Sequence, residues 1–412
     1  MKVVITGITG MRNRGVEAII TPTIEQLRKR QQDIEINILT QTPDYDQIRL
    51  NPYGVNLQLE KKHLQTKTTP PSRKKRLLSK LLPGYGLPKT KLIPSSSLLR
   101  NASAVIASGG DVFSPEYPIT PHLKPLKLAL DVGTPVIFLA QSISPYKREE
   151  DAEEWLEVAR YSKLITVREY LTYNYLTKDL GLSTDLVKLT ADPAFLLTPA
   201  PQDHINNLLK GYGISGERPL VALGTSQGIC NYTSSTLDYD KHLRSWQKII
   251  EMIVNELDAE VIIIPHVQEI RAGNDDRILG SQLLRILDYN PRVHLAGCDH
   301  TASEFKGIIA QCELVISERT HAAIAGLSSG VCTVAVGYSI KSKGISAELI
   351  GEDKFKEGLL ISVEDFLNPK IVCEAVNNSW KKRNQIKQII KKRLPNIQER
   401  AFKNFDLIIN NH

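Results

Sequence analysis

The 412-residue chain has no run of about 18 apolar residues, so no membrane-spanning helix is expected. Its five cysteines, Cys230, Cys298, Cys312, Cys332 and Cys373, are odd in number and form no C-x-x-C pair. That argues against a disulfide framework and a structural zinc site, and a reducing compartment fits. No cluster with metal-ligand spacing occurs, so no metal is expected. The start, Met1-Lys-Val-Val-Ile-Thr-Gly7, lacks the apolar core and cleavage site of a signal peptide, and a cytoplasmic location is the expectation. Aromatic residues are only 6% of the chain and do not interleave with its basic stretches, which argues against nucleic-acid binding. Acidic residues are missing altogether from Lys61 to Lys91, where ten Lys or Arg occur. The whole chain carries +7, so this segment supplies the excess and the remainder is slightly acidic. A local excess suits an anionic surface or substrate better than a globally basic binder would. A second basic stretch runs from Lys381 to Lys403.

Short β-branched runs alternate with helix-like segments over most of the length. Lys2–Thr6, Glu35–Thr40, Ala104–Ala107, Pro135–Ala140, Leu164–Val167 and Leu186–Leu189 read as strands in the first half. Leu220–Gly224, Val261–Pro265, Arg292–Leu295, Leu314–Ser317 and Thr333–Val336 do so in the second. Several are apolar throughout, the pattern of strands buried on both faces of a parallel sheet. Helices are expected between them, at Gly15–Arg30, Glu149–Arg160, Leu243–Leu257 and His321–Ser328. This βαβα pattern, twice over, predicts an α/β protein of two doubly wound, Rossmann-like domains. The expected division is residues 1–200, residues 201–375, and a basic C-terminal helix, 376–412, that crosses back onto the first domain. The Pro- and Gly-bearing stretch 61–91 reads as an insert in the first domain.

The strongest cluster of chemistry is Ser317-Glu-Arg319-Thr-His321, where an apolar strand stops and a small-residue helix begins. Ligands of open α/β sheets bind at the carboxyl ends of strands, and a helix start attracts anions. Arg319 adds a guanidinium fork suited to carboxylate or phosphate, and His321 can move a proton. The plainer reading pairs Arg319 with a structural acid and makes His321 part of the turn. Gly7-Ile-Thr-Gly10-Met-Arg-Asn13-Arg-Gly15-Val-Glu17 resembles a phosphate cradle without matching a dinucleotide or P-loop pattern; its plain alternative is a tight turn. Further candidates are Gly109, Gly110 and Asp111 after a strand, Arg168 just past another, Asp192 before a proline, His266 at a strand end, and Lys341. Each also has an ordinary role as a turn, a cap or a solvated side chain.

In order along the chain these pieces resemble the polysaccharide pyruvyl transferase family. They are Asn13-Arg-Gly15-Val-Glu17-Ala18, Ser108-Gly109-Gly110, Val167-Arg168-Glu169, Ala191-Asp192-Pro193, Ile264-Pro265-His266, Ser317-x-Arg319-x-His321 and Tyr338-x-x-Lys341. The resemblance spans about Val3 to Leu349, and Asp111 departs from it where a third glycine is common. It implies a GT-B-like architecture with the site in the interdomain cleft. It also implies transfer of a pyruvyl group from phosphoenolpyruvate to two sugar hydroxyls, forming a ketal, with no cofactor. Arg168, Arg319 and His321 are the donor-binding residues it implies, to which Ser317 and Lys341 are added. His321 is the expected acid or its positioner, with Glu17 or Asp192 as base. Asn13, Gly15, Gly109, Gly110, Asp111 and His266 are expected in the acceptor part of the cleft. A sugar or lipid-linked glycan is the expected acceptor, and segment 61–91 is weighed as a peripheral contact with an anionic membrane against a plain solvated insert. The alternatives are a GT-B glycosyltransferase using a nucleotide sugar, and a binding protein that has lost the reaction.

Overall fold

The computed structural model describes residues 1–60, 94–232, 238–270, 273–337, 340–350 and 358–411. The basic stretch 61–91 and the Lys341 side chain lie outside the described residues.

The first seven strands are β1 (Lys2–Ile8), β2 (Glu35–Thr40), β3 (Asn56–Leu59), β4 (Ala104–Ala107), β5 (Val136–Gln141), β6 (Leu164–Val167) and β7 (Val187–Leu189). The next six are β8 (Leu220–Gly224), β9 (Glu260–Ile263), β10 (Val293–Leu295), β11 (Leu314–Ser317), β12 (Cys332–Val336) and β13 (Leu360–Ile361). They form two sheets, ordered β3-β2-β1-β4-β5-β6-β7 and β10-β9-β8-β11-β12-β13. Every pairing in both is parallel, for example Val4 opposite Val105 and Ile316 opposite Leu223. Parallel neighbours need a crossover, and the helices that make it cover both faces. That is why β4, β5, β8, β9, β11 and β12 are buried along their whole length.

Both sheets reverse their winding at the same place in their order, between β1 and β4 in the first and between β8 and β11 in the second. The crevice outside the carboxyl ends at such a reversal is where ligands of this architecture bind. The two reversal points face each other here, and the backbone joins them. Arg14 N donates to His266 O at 3.0 Å, Gln268 N donates to Arg12 O at 3.0 Å, and Asn13 bridges Val267.

The C-terminal helix, Pro369–Asn410, ties the halves together. Its Ile386, Ile390 and Ile397 pack in the core cluster that holds β8, β9, β11 and β12. Phe405 and Ile408 pack in the cluster around β1 and β2. Asn404 is buried where the helix crosses the first sheet. It accepts from Thr166 and Thr190 at 2.7 and 2.8 Å and donates to Ala191 O at 2.8 Å. Arg400 donates to Thr190 O from Nε at 3.1 Å and to Glu348 at 2.6 Å, and Glu348 accepts from Tyr170 N at 2.6 Å. The strand ends that carry Arg168 and Asp192 are therefore held from behind by this helix.

Candidate active site

A cavity of about 650 Å³ opens between the two reversal points. Its first-domain wall is made by the loops after β1 and β4, including Asn13, Gly109, Gly110 and Asp111, together with Tyr117, His122 and Arg168. Its second-domain wall comes from the loops after β8, β9 and β11, including Ser226, His266, Glu318, Arg319 and His321.

Arg168 follows β6 and is 2% exposed. A buried guanidinium needs counter-charge and hydrogen-bond acceptors. Its Nη1 donates to Asp192 Oδ2 at 2.5 Å and its Nε to Ser142 Oγ at 2.6 Å. Ser142 Oγ in turn donates to Glu169 Oε2 at 2.8 Å, and Thr172 donates to the other oxygen of Glu169. Burial pushes the Glu169 carboxyl up to about 7, against the pull of Arg168 and the two hydroxyls. Asp192 goes the other way. Burial would raise it, but Arg168, His321 and the Ala194 N–H together hold it well below the usual carboxylate range. Asp192 also caps the short helix Pro193–Leu196, accepting from Ala194 N at 2.8 Å. Asp192 thus caps a helix, as its place before a proline suggests, and balances Arg168 as well.

His321 comes from the other domain. Its Nε2 stands 3.6 Å from Asp192 Oδ2, the same oxygen that Arg168 engages, and it has no hydrogen-bond partner among the described residues. The ring has room because Gly15, packed against it, carries no side chain: a Cβ there would lie 2.5 Å from His321 Nδ1. Asn13 caps the helix Arg14–Arg30 by accepting from Gly15 N at 3.0 Å, which fixes that approach.

Arg319 precedes the helix Thr320–Ser328. Asp276 holds it two-pronged, at 3.0 Å from Nε and 2.6 Å from Nη2, with Asn274 Oδ1 at 3.2 Å. Asp276 is itself fixed by the N–H groups of Val267 and Gln227 at 2.9 and 3.1 Å. Ser317 Oγ accepts from Arg319 N at 3.1 Å and donates to Arg319 O at 2.8 Å, shaping the elbow. Beneath it, Glu318 accepts from Ser226 N and bonds His242 Nε2, both at 2.6 Å. His266 stacks on Phe305 at 6.2 Å between ring centroids. Burial, and then the neighbouring His321, Arg14 and Arg319, hold it neutral.

Of the residues named from the sequence, Asn13, Gly109, Gly110, Asp111, Arg168, His266, Arg319 and His321 line the cavity. Asp192, Gly15 and Ser317 stand one layer behind its wall. Glu17 does not reach the cavity. It faces the interdomain contact, 3.7 Å from Arg14, whose guanidinium bonds His300 O, Gln268 and Asp299 across the boundary. Glu17, expected as a candidate base, is instead buried among these interdomain groups. Sequence reading missed Ser142, Asp276 and Asn274. Their partners come from distant strands, and no local pattern marks them.

A profile of the polysaccharide pyruvyl transferase family matches residues 13–340, which include most of the residues lining this cavity. The chain belongs to that family. Amylovoran biosynthesis protein AmsJ of Erwinia amylovora is 25% identical over 370 residues, covering 85% of this chain and 86% of AmsJ. Among solved structures, HepE of Anabaena in complex with UDP and glucose superposes with a TM-score of 0.59 at 12% identity, over 100% of this chain and 98% of that one. UDP-GlcNAc 2-epimerase of Neisseria meningitidis bound to UDP-GlcNAc does so with 0.58 at 12%, over 100% of both chains. A putative UDP-N-acetylglucosamine 2-epimerase of Listeria monocytogenes gives 0.61 at 12%, over 95% and 91%. At that identity the shared property is the fold: two Rossmann-like domains in the GT-B arrangement. No described helix is long and apolar enough to cross a membrane.

Proposed function

We propose that this family member transfers the pyruvyl group of phosphoenolpyruvate to two hydroxyls of a sugar during polysaccharide synthesis. The observation that carries the reading is the meeting of Arg168, Arg319 and His321, from opposite domains, on one cavity. Phosphoenolpyruvate bears a carboxylate and a phosphate on three carbons. Two guanidinium groups, each already oriented by a buried acid, are a fitting pair of grips for it.

In the proposed reaction, the π pair of the enol takes a proton at the methylene carbon, leaving positive charge on the carbon that carries the phosphate. A sugar hydroxyl attacks that carbon and gives up its proton. The carbon–oxygen bond to phosphate then breaks, phosphate leaves with the bonding pair, and the second hydroxyl closes the ketal as it loses its own proton. One hydroxyl proton restores the acid and the other departs with phosphate. His321 is the proposed acid. Asp192, whose carboxyl resists protonation, orients that ring and balances Arg168. Asp111, on the first-domain wall, is the proposed acceptor of a hydroxyl proton, with the sugar lying against Gly109, Gly110 and Asp111.

Arg319→Ala and His321→Ala are each expected to abolish pyruvate incorporation into the acceptor while the melting temperature stays near that of the wild type. Turnover at the wild-type rate in either folded variant refutes the assignment. The nucleotide-sugar reading is separated by thermal shift: stabilisation by phosphoenolpyruvate and not by UDP- or GDP-sugars is expected, and the reverse pattern replaces this reading with that one.

A further inference from the structure

Away from the active-site cleft, the C-terminal helix borders a groove of about 640 Å³. Tyr170, Glu348, Ile389, Lys392, Arg393 and Arg400 are on its walls. The helix has two unlike faces here. Ile386, Ile390 and Ile397 point into the core. The outer face is cationic: from Lys381 to Gln398 there are seven Lys or Arg and no Asp or Glu. Two of the seven are neutralised, since Arg383 and Lys387 reach Glu313 at 3.4 and 2.8 Å. Arg400, further along, is committed to Glu348 at 2.6 Å. Lys391, Lys392 and Arg393 are exposed and have no acidic partner among the described residues. On the opposite rim, Tyr170 and Leu171 are 54% and 42% exposed, side by side at the start of the helix Tyr170–Asn174.

Unpaired cations on a rigid helix, next to a projecting aromatic and an aliphatic side chain, have a physical partner in a lipid–water boundary. The cations meet phosphate headgroups, and the apolar pair enters the acyl edge. A single-stranded nucleic acid calls instead for a row of aromatic platforms along the basic track, and the seven-cation stretch contains none. We propose that this face docks the protein on an anionic lipid surface, with headgroup phosphates held by Lys392 and Arg393 at the groove and by the adjoining exposed Lys391, and with Tyr170 and Leu171 inserted beside them. The binding is reversible and salt-sensitive, because it rests on few charges and two shallow apolar side chains.

The test is co-sedimentation of the full chain with vesicles of phosphatidylcholine containing about one-third phosphatidylglycerol, against phosphatidylcholine alone, at low and high salt. The wild type is expected to sediment with the anionic vesicles, to ignore the neutral ones and to be released by salt. Lys391→Ala/Lys392→Ala/Arg393→Ala is expected to lower that partition at least about tenfold with an unchanged melting temperature. Tyr170→Ser/Leu171→Ser is expected to release at lower salt than the wild type. Single reversals, Lys392→Glu and Arg393→Glu, give the same readout should the triple variant melt early. The proposal is overturned if the wild type binds neither vesicle, if the triple variant or the reversals bind as the wild type does, or if single-stranded RNA strips the protein from the vesicles by binding it more tightly.

Discussion

Gly15 offers a test in which stability and activity should part company. The residue lies in the first turn of the helix Arg14–Arg30 and faces His321 across the domain boundary. A Cβ added there would stand 2.5 Å from His321 Nδ1 and 3.0 Å from both His321 Cγ and Asn13 Oδ1. Non-bonded carbon contacts settle at about 3.5 Å or more, so the imidazole must retreat by about 1 Å. Helix propensity pulls in the opposite sense, since alanine is favoured over glycine inside a helix by about 0.5–1 kcal/mol. Overpacking costs about 1–3 kcal/mol, and the propensity gain offsets part of it. The melting temperature of Gly15→Ala should thus stay within a few degrees of the wild type. Activity has no such compensation. A shift of about 1 Å in a positioned catalytic group costs on the order of 100-fold in turnover, and His321 Nε2 is set 3.6 Å from Asp192 Oδ2. The assay is incorporation of labelled pyruvate from phosphoenolpyruvate, run beside a thermal melt. A folded Gly15→Ala protein that turns over at the wild-type rate refutes the claim that His321 acts from this position.

Two further substitutions probe the frame around the site. Burial holds the Glu17 carboxyl up at about 7, against the pull of Arg14 and Arg49. Between its ordinary value of 4.5 and 7 the folded chain keeps this proton while the unfolded chain has released it. This contribution to stability therefore falls as pH rises through that window, and the loss is complete above it. Glu17→Gln removes this dependence, so the gap in unfolding free energy between variant and wild type should move in the variant's favour by on the order of 3 kcal/mol from pH 4 to pH 8; parallel denaturant curves across the range rule the mechanism out. Arg400→Ala strips Thr190 O and Glu348 of their shared partner, loosening the segments behind Asp192 and Arg168. The KM for phosphoenolpyruvate is expected to rise about tenfold, with kcat less affected. Arg400→Lys should restore little, because one ammonium cannot serve both acceptors as a fork does; an unchanged KM in Arg400→Ala removes the C-terminal helix from the account of the site.

The parallel sheets were readable in advance because their strands carry the mark of burial on two faces: runs such as Ala104–Ala107 and Leu314–Ser317 have no polar alternation. β3 and β13 escaped because neither carries an apolar run long enough to stand out. Asn56–Leu59 is polar and mostly exposed, and Leu360–Ile361 is only two residues long. Arg168, Arg319 and His321 were visible as polar residues placed just where apolar strands stop. The groups that hold them were not. Ser142, Asp276 and Asn274 look like any surface polar residue until strands far apart in sequence bring them under a guanidinium. Glu17 shows the converse. Its motif placed it beside cavity residues in sequence, yet its carboxyl is buried beside Arg14 and Arg49 at the domain contact.

The order of residues alone specified the two α/β halves, the strand ends at which polar chemistry gathers, and the succession of motifs that marks the family. Those are local properties: burial writes itself into hydrophobic pattern, and a strand end writes itself into glycine, serine and charge. Three-dimensional packing alone set Asp192 between Arg168 of its own domain and His321 of the other, put Glu17 at the domain contact, and made the last helix brace the site. Those are properties of distance between remote segments, and side-chain charge acts over a few ångströms of space however many residues separate its partners along the chain.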